Sequence, residues 1–107
     1  MSPAPMKTAE SVEEHVGRLL RCWREEAAYL SSSTALTEHP AYLELIELGP
    51  VALPMLFRDL EKSGDGHLSK ALTVITGAHP ILDADRGKIR RIAQAWLAWA
   101  RDNGHTW

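Results

Sequence analysis

The sequence predicts an all-α protein. Apolar residues recur at alternating spacings of three and four, which is the spacing of one face of a helix. Glycines and prolines fall between these segments, where they end one helix and begin the next. No segment shows the apolar-polar alternation of a half-buried strand. We therefore expect a compact bundle of four to five short helices.

The chain is long enough for one domain with a real core. It has 107 residues, of which 45% are hydrophobic and 24% charged, a composition typical of globular proteins. Folding a chain of this mass buries roughly 65% of its unfolded surface. We predict a flexible tail over residues 1–10, followed by a single helical domain over residues 11–107.

The first helix has the clearest signal. Ser11 and Glu14 have the spacing of a capping box, in which each side chain binds a backbone amide of the other. An apolar stripe follows, made of Val12, Val16, Leu19, Trp23, Ala27 and Leu30. These features predict a helix from about Ser11 to Leu30. The Ser- and Thr-rich segment after it, residues 31–40, is predicted to be a loop.

The middle of the chain is divided by glycine and proline. Pro40 suits the first residue of a short helix, Pro40–Leu48, and Gly49 suits the left-handed position that ends one. Pro50 then begins a third helix, which runs to about Lys62 with Val51 on its buried side. Pro54 lies one turn inside, where it removes a hydrogen bond, so we expect a bend there.

Two further helices complete the prediction. The fourth carries a stripe that ends at Gly77 and consists of Leu68, Ala71, Leu72 and Ile75. The fifth is capped by Asp83 or Asp85 and ends at Asn103-Gly104; its stripe consists of Ile89, Ile92, Ala93, Trp96, Leu97 and Ala100. We predict one shared core, made of Val16, Leu19, Trp23, Leu45, Leu48, Leu53, Leu56, Phe57, Leu60, Leu72, Ile75, Ile92, Trp96 and Leu97.

The span from Tyr42 to Gly77 resembles one unit of a HEAT or armadillo-like helical repeat. The resemblance rests on LIELGPVALPMLFRDL followed by ALTVITG, and it covers about a third of the chain. Leu48-Gly49 would close the first helix of the unit and Pro54 would bend the second. The core positions would be Leu53, Leu56, Leu60, Leu72 and Ile75. No second copy follows at a period near 40, so we expect a single HEAT-like helix pair. The resemblance implies a scaffold that binds macromolecules, without catalytic residues.

Charge and targeting signals favour a cytoplasmic protein. The formal net charge is −2, so no global positive field attracts nucleic acid or an anionic membrane. The first residues lack a secretory signal, and we find no apolar run of about 18 residues that would span a membrane. Cys22 is the only cysteine and cannot form an internal disulfide. We interpret it as a small packing residue, with a redox role as the alternative.

No motif of catalysis or metal binding is found. His39, His67, His79 and His105 fall in predicted turns, where turn-stabilising or solvated histidines are the first interpretation and a metal site the alternative. The stretch SGDGHLSKALT lacks the spacing of a phosphate-binding loop. We therefore predict neither an enzyme nor a bound cofactor or metal.

A cluster of cations is the main candidate site. We call it the basic patch, and it consists of Arg86, Lys88, Arg90 and Arg91. Cations at the start of a helix are disfavoured by a few tenths to about 1 kcal/mol each. Two interpretations remain open. Asp83 and Asp85 could offset the charges on an ordinary solvated face, or the basic patch could accept acidic side chains or phosphates.

Two tryptophans are candidate partners of the basic patch. Trp23 and Trp96 fall on apolar stripes, whereas Trp99 lies on a helix flank and Trp107 is the last residue given. Either could cover the edge of the core. If both are exposed beside the basic patch, they have the composition of an interface hot spot.

These observations favour a small intracellular protein-binding adaptor or regulatory subunit. The expected partner is a protein with an acidic surface, since the chain lacks global positive charge. The alternative is a nucleic-acid-binding regulator that uses the basic patch. We expect no membrane association, and a homo-oligomer remains possible.

Overall fold

The computed structural model describes residues 11–27, 29 and 33–107, and the predicted tail over residues 1–10 lies outside these ranges. The described residues form six α-helices, which are α1 Val12–Ala27, α2 Ser33–Glu38, α3 Pro40–Leu48, α4 Leu53–Ser63, α5 Ser69–Thr76 and α6 Ile89–Asp102. Three 3-10 turns lie between them, at Gly49–Ala52, Gly66–Leu68 and Asp83–Asp85. No strand occurs in these ranges, and the all-α class is confirmed.

The predicted capping box begins α1. The Glu14 amide donates to Ser11 Oγ at 3.1 Å, and the Ser11 amide donates to Glu14 Oε1 at 3.3 Å. Val16, Leu19 and Trp23 of the predicted stripe are buried, whereas Val12 is exposed. The helix is described over Val12–Ala27, and Leu30, where it was predicted to end, lies outside the described residues.

The segment predicted to be a loop contains α2, so that prediction is wrong. Leu36 of α2 packs against the core, and its carbonyl accepts a hydrogen bond from Trp23 Nε1 at 2.9 Å. This contact with α1 stabilises a helical turn that the Ser- and Thr-rich composition does not favour. His39 follows, and its Nδ1 accepts from the Ala41 amide at 3.0 Å, which caps α3. The turn-stabilising interpretation is thus confirmed for His39.

The junction between α3 and α4 is a 3-10 turn. Gly49 ends α3 with φ 71° and ψ −152°, a region that only glycine populates readily. The predicted positive φ is therefore confirmed. The predicted bend at Pro54 is wrong, because α4 begins at Leu53 and Pro54 lies in its first turn, where no amide is needed. The Pro50 carbonyl keeps a partner, the Leu53 amide.

The core lies between all six helices. Helix α1 packs against α3 and α4, α3 packs against α5, and α4 packs against α6. Most predicted core residues are buried, and the remaining four, which are Leu48, Ile75, Ile92 and Leu97, lie partly buried against them. Val51, predicted to be buried, is 51% exposed because it lies in the 3-10 turn and not on the α-helical stripe.

Tyr42 is a fully buried residue that the stripe analysis missed. Its hydroxyl donates to the His67 carbonyl at 2.7 Å and accepts from the Ala71 amide at 2.9 Å. Its ring lies 5.3 Å from that of Trp23. One side chain thereby connects α3 with α1, α5 and the turn before α5. Burial raises the pKa of Tyr42 well above its ordinary value.

One stretch of the described chain, Pro40–Ser63, is long and apolar enough by length and composition to cross a membrane. Gly49–Ala52 divides this stretch into two α-helices joined by a 3-10 turn. Leu45, Leu56 and Phe57 within it are fully buried in the core. Core helices of globular domains have the same composition.

Replacement of Trp96 tests the docking of α6. Trp96 is fully buried, and its Nε1 donates to Ser69 Oγ at 2.8 Å. We expect Trp96→Ala to lower the free energy of unfolding by about 3–5 kcal/mol, as a large cavity forms in the core. Urea titration measures this loss, with the exposed Val74→Ala as a control that changes stability by less than about 0.5 kcal/mol. A loss below about 1 kcal/mol for Trp96→Ala would contradict the docking.

The pH dependence of stability tests the Tyr42 contacts. At neutral pH, Tyr42→Phe should lower the free energy of unfolding by about 1–3 kcal/mol, because two backbone groups lose their partner. Above about pH 10 the wild type should lose this advantage. The pKa of Tyr42 is raised in the folded state, so the tyrosine of the unfolded chain ionises at a lower pH than that of the folded chain. Rising pH therefore favours unfolding of the wild type. Urea titrations of both proteins at about pH 7 and about pH 11 check this. The same difference in free energy of unfolding at both pH values would contradict the prediction.

Candidate functional site

An ion-pair network fixes the turn on which α6 rests. The guanidinium of Arg24 on α1 donates to both carboxylate oxygens of Asp59 on α4, at 2.7 and 2.6 Å. It also donates to Asp65 Oδ2 at 3.3 Å. The hydrogen bond to Asp59 is the largest cause that raises the pKa of Arg24. We call these three residues the Arg24 clasp, and it holds the end of α4 and the turn after it against α1.

The same turn is in close contact with the start of α6. Gly64 ends α4 in the left-handed conformation, with φ 64°, and Gly66 is buried two residues further on. A Cβ atom at Gly66 would lie 2.4 Å from the Ile89 carbonyl oxygen and 2.9 Å from Ile92 Cβ. Only glycine therefore allows the first turn of α6 to pack at this position.

The basic patch begins before α6 and extends into its first turn. Arg86 and Lys88 precede the helix, which begins at Ile89, and the chain turns between them at Gly87 with φ 77°. Lys88 is the N-cap residue and its side chain makes no capping hydrogen bond. The prediction that Asp83 or Asp85 caps this helix is therefore wrong. These aspartates lie in the preceding 3-10 turn.

The four cations of the basic patch fall into two pairs. Arg86 lies 3.6 Å from Asp83, and Arg91 lies 3.5 Å from Asp85. Arg86 and Asp83 are both exposed, so their ion pair stabilises the fold by about 1 kcal/mol or less, whereas in the second pair Arg91 is exposed and Asp85 is largely buried. Lys88 and Arg90 are exposed as well, and neither has a charged partner among the residues that the structure describes. The Asp83 and Asp85 carboxylates thus offset the charges of Arg86 and Arg91. The charges of Lys88 and Arg90 have no partner among the described residues.

Arg90 lies beside a shallow cleft between α4 and α6. The cleft has a volume of about 280 Å³ and is lined by residues 60–64 of α4 with Arg90, Ala93, Gln94 and Leu97 of α6. The Cγ atom of Arg90 lies 3.8 Å from the position of a Cβ at Gly64. The C-terminal end of α4 carries partial negative charge, which favours a cation near it.

Trp99 and Trp107 lie toward the other end of α6. Trp99 packs 5.5 Å from Trp96 and stacks on His105 at 5.3 Å. Trp107 lies 5.4 Å from Phe57. Both tryptophans are partly buried and cover the edge of the core, which is the first of the two interpretations of their positions. Trp107 Nε1 donates to Glu61 Oε1 at 3.3 Å, and Glu61 also lines the cleft beside Arg90.

Cys22 is exposed, so the interpretation as a packing residue is wrong. The position lies off the buried stripe of α1, and its thiol donates to Glu26 Oε2 at 3.1 Å. This hydrogen bond is the largest cause that raises the pKa of Cys22, and it likewise lowers the pKa of Glu26. A raised pKa disfavours the thiolate, which is the reactive form.

His39 Nε2 lies 3.1 Å from the other carboxylate oxygen of Glu26. Because Nδ1 accepts from the Ala41 amide, Nε2 carries the proton and is not free to bind a metal. Within the described ranges, no three His, Cys, Asp or Glu side chains form a group that could hold a metal ion.

Comparisons with protein-family models, with curated proteins and with solved structures gave no match to the chain. The HEAT-like resemblance of residues 42–77 therefore stays a prediction. The fold and the site together define the class of protein, a small all-α domain with a basic patch at the uncapped start of its last long helix.

Replacement of Gly66 tests whether the turn positions α6. We expect Gly66→Ala to lower the free energy of unfolding by about 1–3 kcal/mol, since the added methyl group overlaps the Ile89 carbonyl. Val74→Ala, at an exposed position on α5, is the control and should change stability by less than about 0.5 kcal/mol. Urea titrations measure both changes. Equal stability of Gly66→Ala and wild type would show that α6 does not depend on this contact.

Proposed function

We propose that the protein is a small protein-binding adaptor or regulatory subunit, without catalytic activity, and that the basic patch binds an acidic segment of its partner. The observation that carries this proposal is the pair Lys88 and Arg90, two exposed cations that no carboxylate of the described chain neutralises. They lie at a helix start without an acidic residue in its first turn. Carboxylate ligands of a partner supply the negative charge that this position lacks.

The free amides of α6 add to the attraction. Lys88 provides no side-chain cap, so the first amides of the helix, at the positive end of the dipole, receive no acceptor from the N-cap side chain. Arg90 and Arg91 lie in that same turn, and an arginine binds a carboxylate through two parallel hydrogen bonds. An Asp- or Glu-rich segment fits both features. The raised pKa of Cys22 supports a function without a nucleophilic thiol.

A nucleic-acid-binding regulator is the second candidate. The observation in its favour is the exposure of all four cations of the basic patch within a short segment. Two facts favour a protein partner instead. The formal net charge is −2, and the aromatic rings of Trp99 and Trp107, which could stack on bases, pack against the core. The proposal includes the cytoplasmic location expected from the sequence.

Affinity capture from the native cell tests the proposal. The tagged chain is used at about 0.15 M salt, with and without nuclease, and bound material is identified by mass spectrometry. We expect a stoichiometric protein partner with an acidic segment that survives nuclease treatment. Purified partner should then bind Lys88→Glu/Arg90→Glu about 10 to 100 times more weakly than wild type. Lys70→Glu, a charge reversal at an exposed site on α5, is the matched control and should bind normally.

Two results would contradict the proposal. Recovery of nucleic acid alone, with an affinity that falls steeply as salt rises, would favour the second candidate. Equal binding of the partner by wild type and Lys88→Glu/Arg90→Glu would show that the interface lies elsewhere.

A further inference from the structure

Gly17 has no role that the single chain explains. It lies in the interior of α1, where glycine is among the least favourable residues. Its φ is not positive, so the backbone conformation does not require glycine. A Cβ atom at this position would have no atom of the described residues within 4 Å, so their packing does not require glycine either. A position without a side chain on an open helix face does allow another backbone to approach closely.

An open groove surrounds Gly17. It has a volume of about 250 Å³ and lies between α1 and α4, with Val16, Gly17, Leu20 and Met55 among its apolar lining residues. Glu13 and Arg58 lie at its edge and form an exposed ion pair of 3.6 Å. An exposed pair of this kind is weak and can be exchanged for another at little cost. The groove is therefore open to a second helix.

The charges of α1 on the two sides of Gly17 are opposite in sign. They are therefore complementary to those of a second α1 that runs antiparallel to the first. Glu13 lies four residues before Gly17 and Arg21 four residues after it, each about 6 Å along the helix axis. Arg21 is exposed and has no charged partner in the described part of the chain. When a second α1 crosses the first in the antiparallel direction at Gly17, each Glu13 lies opposite the Arg21 of the other copy. A parallel crossing would instead place like charges together.

We propose that two copies of the chain form a two-fold symmetric dimer through antiparallel α1 helices, with Gly17 at the crossing point. The interface is isologous, since the same surface serves both copies and each Glu13–Arg21 pair occurs twice. Met55 and the groove floor of each copy pack against the α1 helix of the other. This inference is independent of the proposed function, because α1 contributes no residue to the basic patch.

Sedimentation velocity of the full chain tests the dimer, at protein concentrations from about 1 µM to about 1 mM. We expect wild type to convert from monomer to dimer within this range. Gly17→Gln should remain monomeric without a lower melting temperature, because glutamine favours the helix and its Cβ meets no atom of the described residues within 4 Å. Ala98→Gln, at an exposed position on α6, is the matched control and should dimerise like wild type.

Charge reversal tests the antiparallel arrangement. Glu13→Arg alone and Arg21→Glu alone should each weaken dimerisation by about tenfold or more, since each places like charges opposite one another. The double variant Glu13→Arg/Arg21→Glu should recover the wild-type dissociation constant to within about threefold. A monomeric wild type, a dimeric Gly17→Gln, or a double variant weaker than both single variants would overturn the proposal.

Discussion

The contact of Gly66 with the first turn of α6 is the constraint on which the rest of the structure depends. A side chain at Gly66 would overlap the Ile89 carbonyl, so α6 docks only because this position has none. The turn itself is held from two sides. The Arg24 clasp binds Asp65 from α1, and Tyr42 donates to the His67 carbonyl from α3. Contacts from α1 and α3 to the turn after α4 thereby determine where α6 begins. The position of the basic patch follows from the same contacts.

This arrangement explains how cations can occupy an unfavourable place. The start of α6 meets the end of α4, so Arg90 lies near a helix C-terminus as well as a helix N-terminus. The partial negative charge at the end of α4 acts on a cation in the opposite sense to the positive end of α6. Asp83 and Asp85 compensate Arg86 and Arg91 in a similar way. The fold tolerates the basic patch without neutralising Lys88 and Arg90, which is the condition for binding an external anion.

Sequence patterns predicted the features that depend on neighbours along the chain. The capping box at Ser11 and the positive φ of Gly49 each follow from a few adjacent residues. Helix α2 could not be predicted in this way, because it depends on the hydrogen bond from Trp23 to the Leu36 carbonyl. The Arg24 clasp and the Tyr42 hydrogen bonds join residues 25 to 41 positions apart, and no local pattern marks such pairs. The one sequence signal for the role of Arg24 was its position, because this charged residue directly follows Trp23 of the buried stripe.

The candidate site was predictable in its residues and not in its surroundings. The departure from the dipole rule identified the basic patch, whereas the positions of Trp99 and Trp107 depend on the chain reversal at Gly104, which has φ 79°. The proposed interface at Gly17 then gives the basic patch a further property. A two-fold dimer through α1 presents two copies of the patch on one particle. A partner with two acidic segments binds the second patch as an intramolecular step, so its overall affinity exceeds that of either contact without any new interaction. Weak charge contacts, each worth little alone, become effective in that arrangement.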